Sequence, residues 1–353
     1  MAYTTIDSPY KFFNVVLYTG TGATHNVTGV GFKPDWVWIK ERNNAVSHRV
    51  FDVNRTATKR MFPNNGDAES TQSNSLTSFD SDGFTLGDSG SVNGSSDTYV
   101  AWNWLAANGT TSNSNGNTAS TVSANPTAGF SIVTWTGTGS DTTVGHGLSS
   151  APEMYVVKNR SDGSTNWRVG QTVAGNTMTG GNGYYMEWDD TKASTNPGSA
   201  TTWGSTPTAP TSSVFTVGSN NAHNGSSDDM LAYCFHSVKG FSKVGSYIGN
   251  GNAVGTFVYT GFKPAYILMK NNGAGGNSWR IYDNKRDTFN EMDNALFIDA
   301  TTAEGNYDAI DFLSNGFKVR ATSAAINSNG GTYIYYAIAE NPFVSEGTKA
   351  AGT

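Results

Sequence analysis

The chain has one cysteine, Cys234, in 353 residues. One thiol makes no internal disulfide, so this is not a disulfide-stapled secreted scaffold. Set inside an apolar run, Cys234 reads as a small buried hydrophobe. Charge is also scarce: Asp, Glu, Lys and Arg make up 14% of the residues, against about 25% in ordinary globular proteins. The net charge is −6 and no cluster of Lys and Arg stands out. That excludes the basic face needed for nucleic acid and disfavours an anionic membrane surface. No apolar run approaches the ~18 residues of a membrane-spanning helix. The start, MAYTTIDSPYKFFNVV, lacks the basic and apolar regions of a secretory signal. Helical periodicity is missing as well.

What the chain does hold is glycine, 41 residues, and aromatics, 12%. Ser, Thr and Asn supply the solubility that charge does not. This is the composition of short strands joined by tight turns. It is also self-similar. GFKPDWVWIK (31–40), SSAPEMYVVK (149–158) and GFKPAYILMK (261–270) are three versions of one strand, ending at Lys40, Lys158 and Lys270. The other landmarks keep their order. LYTGTG, TWTGTG and SYIGNGN come before that strand, and SHRVFD, NWRVGQ and SWRIYD after it. DGFTLG, SVFTVG and NGFKVR follow, and TYVAWNW, DMLAYCF and TYIYYAIA close each copy. A period of about 110 residues is too long for a solenoid turn and suits a small domain.

The expected organisation follows. Residues 1–12 form an N-terminal arm. Repeat 1 spans 13–107, a polar linker 108–128, repeat 2 129–239 with an insertion at 181–212, repeat 3 240–344, and a tail 345–353. No spacer separates repeats 2 and 3, so those two should pack closely. The lysine-ended strand is apolar on both parities, Trp36 and Trp38 against Val37 and Ile39. A half-exposed strand alternates, so this one should be covered on both faces. The fold class is all-β: three tandem antiparallel β-sandwich repeats of jelly-roll or lectin-like type.

Candidate chemistry is sparse. The five histidines, His25, His48, His146, His223 and His236, fall at non-equivalent places and show no metal-ligand spacing; surface or turn positions are expected. Asp80-Ser81-Asp82-Gly83 begins like a calcium loop, but Ser91 stands where the last acidic ligand belongs; a hairpin turn explains it. Gly20-Thr21-Gly22 and Gly137-Thr138-Gly139 have no helix after them and read as turns rather than phosphate loops. Asp283 and Asp287 flank Asn284-Lys285-Arg286. Such a pair could serve glycoside cleavage, yet the other repeats lack it, and a solvated turn or an interface salt bridge accounts for it. Most tryptophans sit at repeat-equivalent core positions. Trp188 and Trp203 lie in the insertion. With Tyr184, Tyr185, Asp189 and Asp190 they make the candidate glycan patch, aromatic faces beside carboxylates on a loop. No metal and no cofactor are expected.

GFKPDWVWIKER, HRVFDVNRTATKRM, FDSDGFTLG and YVAWNWLA resemble a repeated domain of unknown function in tailed phages of marine bacteria. So do TVGHGLSSAPEMYVVKNR, GSYIGNGNAVGTFVYTGFKPAYILMK and GGTYIYYAIAENPFV. The likeness covers about 13–344, and the insertion 181–212 departs from it most. It implies a tail-fibre or virion structural protein with no catalytic residues. The expectation is therefore a virion component, made in the host cytoplasm, that attaches to a host-surface glycan or receptor through many weak contacts. Its partners would be other virion proteins and copies of itself, a trimer suiting a fibre, with no nucleic acid and no membrane insertion. The alternatives are a capsid head-decoration or head-fibre protein and a glycan depolymerase.

Overall fold

The computed structural model describes residues 4–199 and 201–342. Strands dominate it. Among the described residues the helices are single turns: Pro9–Lys11, Gly90–Asn93 and Asn221–Asn224.

Three stretches of chain follow one strand order. In the first segment the main sheet runs Phe13–Thr19, Thr98–Trp104, Trp36–Glu41, Arg49–Asp52. In the second, Phe130–Thr136, Asp229–Phe235, Met154–Asn159 and Arg168–Gln171 hold the same places. In the third they are Ser242–Ile248, Thr332–Pro342, Phe262–Asn271 and Arg280–Asp283. These are termed the opening, closing, lysine and fourth strands, and every neighbour pair is antiparallel. A smaller layer faces each main sheet. It holds His25–Thr28, Gly83–Leu86 and Leu76–Asp80 in the first segment, and Thr142–Gly145 with Val214–Val217 in the second. In the third, Phe257–Tyr259, Gly316–Val319 and Gly305–Leu313 join the main sheet through Met292–Phe297. The fold is an all-β arrangement of antiparallel sandwiches.

The lysine strands show why both parities are apolar. Val37 and Ile39 face the first sandwich's own core, with Phe51, Phe84 and Leu86. Tyr155 and Val157 do the same in the second segment, and Ile267 and Met269 in the third. The other parity points elsewhere. Trp36, Trp38, Met154, Val156, Tyr266 and Leu268 all join one central core that all three segments share. Trp36 lies over Tyr233 of the second segment, ring centroids 4.3 Å apart, and Trp104 over Tyr266 of the third at 5.8 Å. Each such side chain contributes roughly 1.5–3 kcal/mol on burial, so the segments stabilise one another as well as themselves.

Polar contacts close the segments into a ring, each holding the next in the same way. Two residues past each buried lysine, a carbonyl accepts an N–H from its neighbour. Glu69 N–H donates to Arg160 O at 2.8 Å, Ser194 N–H to Asn272 O at 3.1 Å, and Glu304 N–H to Arg42 O at 2.8 Å. The ring nitrogens of Trp167, Trp279 and His48, which hold equivalent places in the fourth-strand motif, reach Phe62 O at 2.8 Å, Glu187 O at 2.7 Å and Phe297 O at 2.9 Å. The second segment thus grips the first, the third grips the second, and the first grips the third. A head-to-tail interface repeated with a closing rotation makes a ring.

Residues 108–128 are not a free linker. Thr111–Asn113 and Ser120–Asn125 are strands that extend the second segment's sheet beyond its opening strand. The arm is docked: Ile6 is buried in the central core and Phe12 packs against Phe241 at 5.9 Å. The expected tail 345–353 lies outside the described residues.

Candidate functional site

The predicted patch does not assemble. Trp188 is 1% exposed and Trp203 is fully buried. Trp188 sits in the central core between Trp38 and Trp167, at 5.3 and 5.9 Å. Trp203 packs on Tyr155 at 5.0 Å and donates its ring N–H to Tyr184 O at 3.0 Å. Neither can offer a face to a sugar. Tyr184, Tyr185, Asp189 and Asp190 are half-buried. The Tyr185 ring lies under the Arg168 guanidinium at 4.0 Å, and Asp190 pairs with Lys192 at 2.7 Å. Asp189 accepts the Trp167 backbone N–H at 3.1 Å. Burial pushes its carboxyl up to about 7.

The charged run 283–287 is structural too. Asp283 and Arg286 are both buried and pair at 2.6 Å, and Trp102 of the first segment donates its ring N–H to Asp283 at 3.0 Å. Asp287 accepts the backbone N–H groups of Asp293 and Asn294, each at 2.9 Å. What stands there is a buried ion pair within the third segment, tied to the first by the Trp102 hydrogen bond, and Asp283 is closed off from solvent. The first segment repeats the arrangement: Asp52 pairs with Arg55 at 2.6 Å and accepts the Tyr233 hydroxyl at 2.7 Å.

The lysines that end the three strands are buried. Lys158 Nζ donates to Gly66 O at 2.9 Å, Asp162 O at 3.1 Å and Thr165 O at 2.7 Å, the first across a segment junction. Lys270 reaches Asp190 O across the next. Burial lowers Lys40, Lys158 and Lys270 to about 8. All three are engaged by main-chain carbonyls, so they work as struts and not as a reactive amine.

The histidines need correction. His48, His146, His223 and His236 are buried, and only His25 is partly open. The Trp38 ring N–H donates to His48 Nδ1 at 2.9 Å, which leaves Nε2 carrying the proton to Phe297 O. Burial holds His48 well below its usual pKa, so it stays neutral. His223 stands where Val92 and Ile326 stand in the sister segments, between Trp203 and Tyr185. Burial depresses it as well. Among the described residues no three His, Cys, Asp or Glu gather as a metal site. Asp82 turns a hairpin and caps the Gly29 and Gly31 N–H groups at 3.2 and 2.6 Å. The two Gly-Thr-Gly turns fold onto the buried Asn93 and Asn224, whose side chains accept the Thr21 and Thr138 N–H at 2.8 and 3.0 Å.

One surface stands out from its siblings. On the outer edge of the third segment Ile248 is 55% exposed, Val254 64%, Phe257 45% and Tyr259 51%. Phe257 and Tyr259 share a face of one strand, and Thr256 ties that strand to Ile248 O at 2.7 Å. The equivalents of Ile248 are Thr19 and Thr136. Those of Phe257 are Asn26 and Thr143, and those of Tyr259 are Thr28 and Gly145. Apolar groups so exposed, at places where the other two segments carry Thr, Asn or Gly, mark a contact surface. The sequence read along the chain does not single these residues out; setting the three segments side by side, residue by residue, is the signal that finds them.

The model of a family described as Domain of unknown function (DUF7483) matches residues 8–342. The chain belongs to that family. The DUF7483 match takes in the arm from Ser8, all three segments and the exposed edge. No curated protein matches the chain.

Proposed function

We propose that this DUF7483 protein is a structural component of a bacteriophage virion, carried as a tail-fibre or receptor-binding element. The reading is supported by the likeness of its repeated segments to virion proteins of tailed phages. The observation that carries it toward attachment is the apolar edge Ile248, Val254, Phe257 and Tyr259, present in one segment of three. A ring of interlocked sandwiches presents that edge on a stiff support. Many copies on one particle turn a weak apolar contact into firm adhesion.

The test has two arms. Gold-labelled antibody against the protein should decorate the tail in electron micrographs; decoration of the capsid lattice would instead make it a head protein. Purified protein should bind host cells, and a Phe257→Ser/Tyr259→Ser double variant should lose at least about tenfold in affinity with an unchanged melting curve. Release of reducing sugar from host polysaccharide would replace adhesion by glycan cleavage.

A further inference from the structure

Each junction of the ring has a slot beside an opening strand. In the first segment Leu105 N–H donates to Phe12 O and Gly20 N–H to Asp97 O, both at 2.8 Å. An antiparallel ladder alternates. Residues 14, 16 and 18 therefore turn their backbone groups to the closing strand, and Phe13, Val15 and Leu17 turn theirs outward.

Where the second segment meets the first, the equivalent outward edge is taken. Thr121, Ser123 and Asn125 pair with Thr134, Ile132 and Phe130 of that opening strand. The first segment grips the added strand from its far side. Asn125 Nδ2 donates to Ala106 O at 3.3 Å, Ala107 N–H to Ser123 Oγ at 3.1 Å, and Asn54 Nδ2 to Thr121 O at 3.0 Å. Where the third meets the second, a turn fills the slot. Val238 exchanges backbone bonds with Ser242, and Ser237 Oγ accepts the Val244 N–H at 3.0 Å.

Where the first meets the third, the slot is open among the described residues. It is a groove of about 350 Å³ lined by Phe13, Val15, Lys285, Ala339 and Asn341, with Tyr10 of the arm at its margin. Position by position this is the occupied slot again. Phe13 and Val15 stand for Phe130 and Ile132, Lys285 for Asn54, and Asn341 for Ala107. Lys285 is exposed, a donor placed as Asn54 is toward a strand carbonyl. The groove also continues the interface between these two segments, where Phe13 meets Tyr266 at 5.3 Å. It stays open because the arm takes another path. The chain before Phe130 doubles back as a strand. The chain before Phe13 runs through the turn Pro9–Lys11 to Ile6 in the central core and Thr4 beside Gly240. Among the described residues nothing bonds the outward carbonyls of Phe13, Val15 and Leu17, and of the outward N–H groups that of Val15 is held locally by Asn14 Oδ1 at 3.0 Å.

We propose that this slot is a strand-acceptor site. It takes an extended segment of a partner protein, antiparallel to Phe13–Thr19, with small polar side chains of the kind found at Ser123–Asn125. Main-chain bonds along an open edge supply affinity, and the groove selects the side chains. The inference does not depend on the attachment surface above.

The probe is a fluorescent peptide of residues 117–127, titrated with the whole chain and followed by anisotropy. Saturable binding is expected, with hydrogen exchange at the Leu17 amide slowed in the complex. Leu17→Pro removes an outward N–H and Asn341→Trp fills the groove. Each should weaken binding at least about tenfold, while melting curves report that the variants fold. Failure to saturate at millimolar chain, or an affinity unchanged from the parent chain in both variants, overturns the proposal. So does a dimer of the chain that Leu17→Pro abolishes, because a second copy would then own the edge.

Discussion

The Trp102 ring N–H donates to Asp283 Oδ2 at 3.0 Å, joining the closing strand of the first segment to the fourth strand of the third across 181 residues of sequence. Asp283 is buried with Arg286, so this bond serves an ion pair and not an open carboxylate. Trp102→Phe keeps the bulk and removes the donor. A loss of about 1–3 kcal/mol is expected, the usual effect of leaving a buried acceptor short. Urea unfolding checks it.

Asp52 is the sister position. Asp52→Asn breaks a fully buried pair with Arg55 and weakens the bond from Tyr233. Arg55 then keeps only Glu69 as a charged partner, at 3.4 Å, and removing one partner of a buried pair costs about 3–5 kcal/mol. The same substitution at Asp287, which accepts backbone N–H groups nearer the surface, should cost clearly less in the same urea experiment.

The shared core makes a claim about cooperativity. Trp36, Tyr233 and Tyr266 belong to one cluster, so each segment loses one of its two cores when another unfolds. Calorimetry should show one transition with matching calorimetric and van't Hoff enthalpies. Three resolved transitions would mean that the segments stand alone.

Asp189 gives a pH test. Burial raises its carboxyl to about 7 in the folded chain, above the ~3.9 of an unfolded Asp. The neutral form is the one the fold prefers. Its contribution to stability is complete below about pH 4 and is lost as the pH climbs through 7. Asn64 holds the equivalent place in the first segment and accepts the His48 N–H at 2.9 Å. Asp189→Asn should therefore raise the melting temperature at pH 8 and leave it nearly unchanged at pH 4. The opposite ordering would contradict the assignment.

Trp188→Ala should behave as a core truncation, costing about 3–5 kcal/mol by urea unfolding. Tyr184→Ala, at a half-buried position, should cost far less. Comparable losses would mean that Trp188 is not seated where the ring between Trp38 and Trp167 places it.

Much of the architecture was legible in the residues. Double-sided apolarity in 36–39 predicted cover on both faces, and Val37 and Trp38 do face different cores. The absent spacer predicted contact between the last two segments, and Phe235 meets Tyr336 at 4.8 Å while the Trp279 ring N–H donates to Glu187 O at 2.7 Å. Ring closure was not legible. It depends on a rotation between segments, and no local pattern encodes that Glu304 returns to Arg42. Residues 120–125 looked like linker because a strand gripped through Ser123 and Asn125 needs few apolar groups. Trp188 was misjudged by its neighbours in sequence. Its N–H reaches Trp167 O at 3.0 Å as Ile298 N–H reaches Trp279 O at 3.2 Å, so a residue-level match to Ile298 would have assigned it to the interior. The histidines misled because each replaces a different group: His48 an indole, His223 an aliphatic side chain.

A homotrimer must use one sequence at three identical joints, and any change appears threefold. Here the joints are encoded separately. One takes a strand, one folds a turn into itself, and one is bare among the described residues, while an imidazole stands at a single site where the other two joints carry indole. Because the three seams lie at different places in one polypeptide, a substitution at one leaves the sequence of the other two unchanged.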